Sequence, residues 1–90
     1  METVLELMKA DLGITGSARD EYFKRLIDAC KGELVRRGVT LDESAADDAM
    51  LLSDYAAWSY RKRTESVPFP VNLEKRILNR KTRERANGND

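Results

Sequence analysis

Apolar side chains recur at intervals of three and four residues in three successive segments of the chain. This spacing places them on one face of an α-helix. Glycines suited to helix termination, Gly13 and Gly38, follow the first two segments. The pattern therefore predicts an all-α fold whose helices run from Thr3 to about Leu12, from Ser17, as the first residue of a capping box with Asp20, to Arg37, and from Asp42 or Ser44 to about Arg63.

The third predicted helix is the central element, because its apolar face is broad enough to contact both of the other helices. Aromatic residues dominate that face, and at helical spacing they are typical of a packed core. Cys30 lies on the apolar face of the second helix and is interpreted as a packed small hydrophobe. The predicted core contains Leu26, Ile27, Cys30, Leu51, Tyr55 and Trp58.

Two prolines, Pro68 and Pro70, flank Phe69 and force an extended link after the third helix. A last helix is expected to begin near Asn72. Residues 79–90 contain a single apolar residue, so we expect them to form a solvated tail. The chain is thus predicted to be one domain, with a three-helix body over residues 1–66 and a basic C-terminal docking segment over residues 67–90.

The residue types that are missing exclude much chemistry. The 90 residues contain no His and a single Cys, which removes imidazole bases, nucleophile pairs that depend on His, and Cys-Cys metal or redox sites. We therefore expect no enzymatic activity, no cofactor and no metal site. No apolar run approaches the roughly 18 residues of a membrane helix, so no membrane partner is expected.

Charge is divided unevenly along a chain whose formal net charge is zero. Residues 1–60 hold 7 basic and 12 acidic side chains, a net charge of −5, whereas residues 61–90 hold 9 basic and 4 acidic, a net charge of +5. Opposite charges at the two ends favour head-to-tail association of copies, or contact of the basic end with an acidic partner.

The order of several features resembles that of the small head-tail connector proteins of tailed bacteriophages. The resemblance spans about Val4 to Leu78 and rests on Leu12-Gly13-Ile14, an acid-opened second helix with Leu26-Ile27 and Ala29, Tyr55-Ala56-Ala57-Trp58-Ser59-Tyr60-Arg61 with Arg63, and Pro68, Pro70 and Leu73. It implies an all-α adaptor that forms a ring of about twelve copies below the portal protein and extends the DNA channel. The implied location is the virion head-tail junction, after assembly in the host cytoplasm.

The resemblance also implies partners, to which the charged and apolar residues are assigned here. These partners are the portal protein, a head-closure or tail protein, and genomic DNA that passes through the lumen without specific binding. The residues expected to dock on the portal or a neighbouring subunit are Phe69, Leu73, Arg76, Ile77, Arg80 and Arg83. The residues expected on an acidic ring or lumen surface are Asp42, Glu43, Asp47, Asp48 and Asp54.

Two other functions remain open at this stage. The basic residues of the C-terminal segment could neutralise phosphates, which is typical of a small nucleic-acid-binding protein. Residues 42–60 hold five acids and no base, so the third helix is a poor recognition helix and any such contact would be independent of sequence. A helical regulatory protein is the other alternative, although no motif favours it.

Overall fold

The computed structural model describes residues 2–42, 44–63 and 68–88, and for residue 2 and residues 83–88 it describes the backbone alone. This part of the chain forms four helices and no strand, which confirms the all-α prediction. The helices are α1 (Glu2–Leu12), α2 (Asp20–Arg36), α3 (Ala46–Arg61) and α4 (Val71–Gly88).

Helix α3 is the central element, since each of the other three helices packs against it. Helices α1 and α2 also contact each other, whereas α4 packs against α3 alone among the helices. The small residues Ala56 and Ala57 of α3 are fully buried and allow close approach of the neighbouring backbones.

The core combines residues from all four helices and one loop. Ile27, Cys30, Leu51 and Tyr55 are buried, while Leu26 and Trp58 are half-buried at its margin. The other buried apolar residues are Val4, Leu5, Met8, Phe23, Leu34, Val39, Ala49, Leu52, Ala56, Ala57, Leu73 and Ile77.

The two helix stops follow from backbone geometry at glycine. Gly13 and Gly38 have φ values of +73° and +92°, a region that glycine enters without a Cβ clash. After each of them an N–H reaches back to satisfy a helix carbonyl: Ile14 donates to Lys9 at 2.9 Å, and Val39 donates to Leu34 at 3.0 Å.

The starts of α2 and α3 differ from the sequence expectation. Helix α2 begins at Asp20 and its N-cap residue Arg19 makes no side-chain cap, so Ser17 does not open the helix. Asp20 instead forms an ion pair with Lys9 of α1, with Nζ and Oδ1 2.8 Å apart. Helix α3 begins at Ala46, a few residues after the predicted Asp42 or Ser44.

The C-terminal segment is the main correction to the predicted architecture. Helix α4 continues to Gly88, past the point where a solvated tail was expected, and its residues Leu73 and Ile77 are 2% and 4% exposed. The physical reason is the breadth of the apolar face of α3, which α1 and α2 leave partly uncovered. Burying two such side chains contributes about 1.5–3 kcal/mol each to folding.

Candidate interaction surfaces

Helix α4 is held against α3 by two ion pairs on the same side of the helix. Arg76 Nη1 lies 2.6 Å from Asp54 Oδ2, and both side chains are about one third exposed. One turn later, Arg80 pairs with Asp48, and both of these side chains are largely buried. Arg80 Nη2 also donates a hydrogen bond of 3.0 Å to the carbonyl oxygen of Thr40 in the α2–α3 loop. Arginine and carboxylate therefore lock the register of α4.

This arrangement corrects the predicted docking surface. Leu73 and Ile77 belong to the core of the subunit itself, so neither is an apolar anchor for a partner. Phe69 is half-buried against Tyr55 and Trp58, with ring centroids 5.9 Å and 4.7 Å away. Arg76 and Arg80 are engaged by acids of the same chain. The side chain of Arg83 lies outside the described residues.

The predicted acidic surface is also reduced. Asp48 is 7% exposed, and its Oδ2 accepts a hydrogen bond of 2.7 Å from the backbone N–H of Asp42. Asp54 is neutralised by Arg76, and Glu43 lies outside the described residues. Asp42 and Asp47 remain exposed.

Asp42 has a local role at the start of α3. Its Oδ1 accepts hydrogen bonds from the Ser44 hydroxyl at 2.6 Å and from the Ser44 N–H at 3.0 Å. The Ser44 hydroxyl, followed by its N–H, lowers the pKa of the Asp42 carboxyl below its usual value. Asp42 therefore stays ionised in the loop that precedes the helix.

An open groove of about 300 Å³ runs between α3 and α4. We call this groove, lined by Asp47, Met50, Leu51, Arg76, Asn79 and Arg80, the α3–α4 groove. Its apolar component includes Met50, which is 44% exposed, and its charged edge includes the exposed Asp47.

A second exposed apolar surface lies on the outer face of α4. Val71 and Leu78 are 66% and 52% exposed. Because an α-helix has about 3.6 residues per turn, these two residues share a face that is turned away from Arg76. Lys75 lies between them on the helix surface, four residues after Val71 and three before Leu78. We call Val71, Lys75 and Leu78 the outer face of α4.

A third surface combines cations with aromatic rings. Lys62 Nζ lies 4.4 Å from the centroid of the Trp58 ring. Arg37 Cζ lies 5.8 Å from the Tyr55 ring centroid and 5.7 Å from that of Phe69. These are cation–π distances. The sequence analysis did not predict this cluster. The four-residue spacing of Trp58 and Lys62 is the signal that could have indicated part of it.

Two groups of the core have perturbed acidity. Burial raises the pKa of the Cys30 thiol from 9.0 to about 11, so the thiol stays protonated at neutral pH. Burial, together with the hydrogen bond that the Tyr55 hydroxyl donates to Glu33 Oε2 at 2.8 Å, raises the pKa of Tyr55 from 10.0 to about 12. Both groups therefore act as neutral core residues at physiological pH.

Comparison of the chain with protein-family models, with curated protein sequences and with solved structures finds no match. Among the described residues, no group of three or more Cys, Asp or Glu side chains is arranged to hold a metal ion. In that same part of the chain, no helix has the length and apolarity needed to cross a membrane. The three surfaces are therefore the candidate functional sites of the described residues.

Proposed function

We propose that the protein is a connector subunit of a tailed bacteriophage, which assembles into a ring below the portal and extends the DNA channel. The ordered sequence features from Val4 to Leu78 and the all-helical fold support this proposal. The observation that carries it is the presence of two unlike exposed surfaces, the α3–α4 groove and the outer face of α4.

Two unlike surfaces suit a heterologous contact, in which one face of a subunit binds a different face of the next. Such contacts generate closed rings when the rotation between subunits closes. We propose that Val71 and Leu78 of one copy pack against Met50 in the groove of the next. Lys75 would then approach the exposed Asp47 of that neighbour, so that charge complementarity fixes the orientation.

Apolar contact supplies most of the proposed stabilisation. An exposed ion pair such as Lys75–Asp47 contributes about 0–1 kcal/mol, whereas burying a Val, Leu or Met side chain contributes about 1.5–3 kcal/mol. The portal protein and the closure or tail protein would bind the assembled ring, because Leu73 and Ile77 are already used within the subunit. Genomic DNA would pass through the lumen without specific binding, at the head-tail junction of the virion.

A charge exchange tests the proposed contact. Asp47→Lys and Lys75→Asp each place like charges at the contact, so either single variant should lower the oligomer fraction in sedimentation velocity at low salt. The double variant Asp47→Lys/Lys75→Asp restores opposite charges and should regain assembly. Circular dichroism checks that each variant folds. Single variants that assemble like the wild type, or a double variant that stays dissociated, would contradict the contact.

The alternative function, nucleic acid binding by the basic C-terminal segment, is weakened by ion pairs within the subunit. Arg76 and Arg80, two of the basic residues assigned to it, pair with Asp54 and Asp48 within the same chain. A cation that is neutralised in this way releases fewer counterions on binding phosphate.

A further inference from the structure

A groove between α2 and α3 carries three exposed cations beside the aromatic cluster. We call it the basic groove; it measures about 330 Å³ and is lined by Glu33, Arg36, Arg37, Tyr55, Trp58 and Lys62. Within the described residues, no ion pair engages Arg36, Arg37 or Lys62. The one acid of the groove, Glu33, accepts the hydrogen bond of the Tyr55 hydroxyl.

The cations of the basic groove are held in position before any ligand arrives. Lys62 lies over the Trp58 ring, and Arg37 lies near the rings of Tyr55 and Phe69. Arg36 folds back along its own helix, with Nη1 3.4 Å from the position that a Cβ would occupy at Gly32. Ordering side chains in advance reduces the entropy lost on binding.

We infer that the basic groove binds the phosphate backbone of nucleic acid without reading its sequence. Three cations with one engaged acid make the groove positive, and Arg and Lys are the usual phosphate contacts of proteins. We do not expect a nucleic acid base to stack on Trp58, because Phe69 and Lys62 already contact its ring.

An acidic protein segment fits this groove less well than a phosphate backbone. Protein interfaces are organised around an apolar centre with deeply buried anchors. In the basic groove Tyr55 is buried, Trp58 is half-buried, and the remaining four lining side chains are charged. A nucleic acid backbone needs no apolar anchor, because counterion release supplies the free energy.

The inference does not depend on the proposed ring, because a single chain carries the whole basic groove. It also places phosphate binding at the C-terminal ends of α2 and α3, away from Arg76 and Arg80. Contact with at most three phosphates gives weak and salt-sensitive binding, which is compatible with DNA that moves past a subunit.

The test is fluorescence anisotropy with a short duplex DNA of mixed sequence, measured on the full chain over a range of salt concentrations. Each phosphate neutralised contributes about −0.9 to the slope of log affinity against log salt, so three contacts predict a slope of about −2.7. Affinity should therefore fall about 40-fold between about 50 and 200 mM salt. In Arg36→Gln/Lys62→Gln the slope should decrease in magnitude to about −0.9.

A matched control removes the same charge from other exposed positions. Arg19→Gln/Arg25→Gln, at two exposed positions outside both the basic groove and the proposed ring contact, should leave the slope within about 0.5 of the wild-type value, if the phosphates are bound in the basic groove. An unchanged slope in Arg36→Gln/Lys62→Gln, an equal loss in the control, or no binding at the lowest salt would overturn the inference. Stronger binding of a polyglutamate peptide than of DNA would overturn it in favour of an acidic protein partner. Thermal melts confirm that both variants fold.

Discussion

Among single residues, Asp48 departs furthest from what its sequence context indicates. It stands beside Asp47 at the start of α3, where both carboxylates complement the helix dipole. Asp47 remains exposed, whereas Asp48 is buried, pairs with Arg80 and accepts the N–H of Asp42. The helical periodicity of the sequence gives the angle between Asp47 and Asp48 around the axis of α3. Which of the two is buried depends on where α4 packs, and the sequence pattern does not give that.

Removal of the Asp48 carboxylate should therefore be costly. Asp48→Asn leaves the Arg80 guanidinium largely buried beside a neutral amide, and breaking a buried pair in this way costs about 3–5 kcal/mol. The matched control is Asp11→Asn, which breaks the exposed pair between Asp11 and Arg61 and should cost about 0–1 kcal/mol. Urea unfolding measures both values. If the two substitutions lower the free energy of unfolding equally, the Asp48–Arg80 pair is solvated and the prediction is wrong.

Tyr55 makes stability depend on alkaline pH. Because its pKa is raised from 10.0 to about 12, the folded state keeps a proton that the unfolded chain loses above about pH 10. This contribution to the free energy of unfolding is complete below pH 10 and is lost as pH rises towards 12. Between pH 9 and 11, Tyr55→Phe should therefore lose stability less steeply than the wild type, as measured by urea unfolding. Identical slopes in Tyr55→Phe and the wild type would contradict this assignment.

Among the elements, α1 to α3 and their glycine stops follow from local sequence, whereas the placement of α4 does not. Gly13 and Gly38 take the left-handed backbone that helix termination requires. Residues 71–88 have a weak apolar stripe, and the sequence alone does not say whether Leu73 and Ile77 cover this body or another protein. The outcome depends on how much of α3 the other helices leave open, which is a property of the packed molecule. The basic groove is also a property of the packed molecule, because its cations come from two separate helices. Its position therefore could not be predicted from the sequence.

Substitution of two leucines of α4, one buried and one exposed, tests whether this helix packs against the body through one face only. Leu73→Ala removes a side chain that is 2% exposed and should cost about 2–5 kcal/mol in thermal or urea unfolding. Leu78→Ala removes the same atoms from a site that is 52% exposed in the single subunit, and it should change the stability of the dissociated subunit by about 0.5 kcal/mol or less. If α4 leaves the body in solution, the two substitutions will have similarly small effects.

At the scale of the whole molecule, the oppositely charged parts of the chain attract each other within one subunit. The basic C-terminal segment folds back on the acidic α3 through Arg76 and Arg80, an attraction that the sequence suggested between neighbouring copies. Asp42, Asp47 and Lys75 are left exposed by this closure. The assembly that we propose therefore relies on the outer face of α4 and the α3–α4 groove, where Val71, Leu78 and Met50 remain exposed.

The central claim is that the chain forms a closed ring, and native mass spectrometry of the purified protein, alone and mixed with the portal ring, tests it most directly. Heterologous contacts that close predict one dominant high-mass species of about twelve copies, with few intermediates. Asp47→Lys should shift this species towards the monomer. A protein that stays monomeric or dimeric under both conditions, or that forms an open ladder of masses, would contradict the claim.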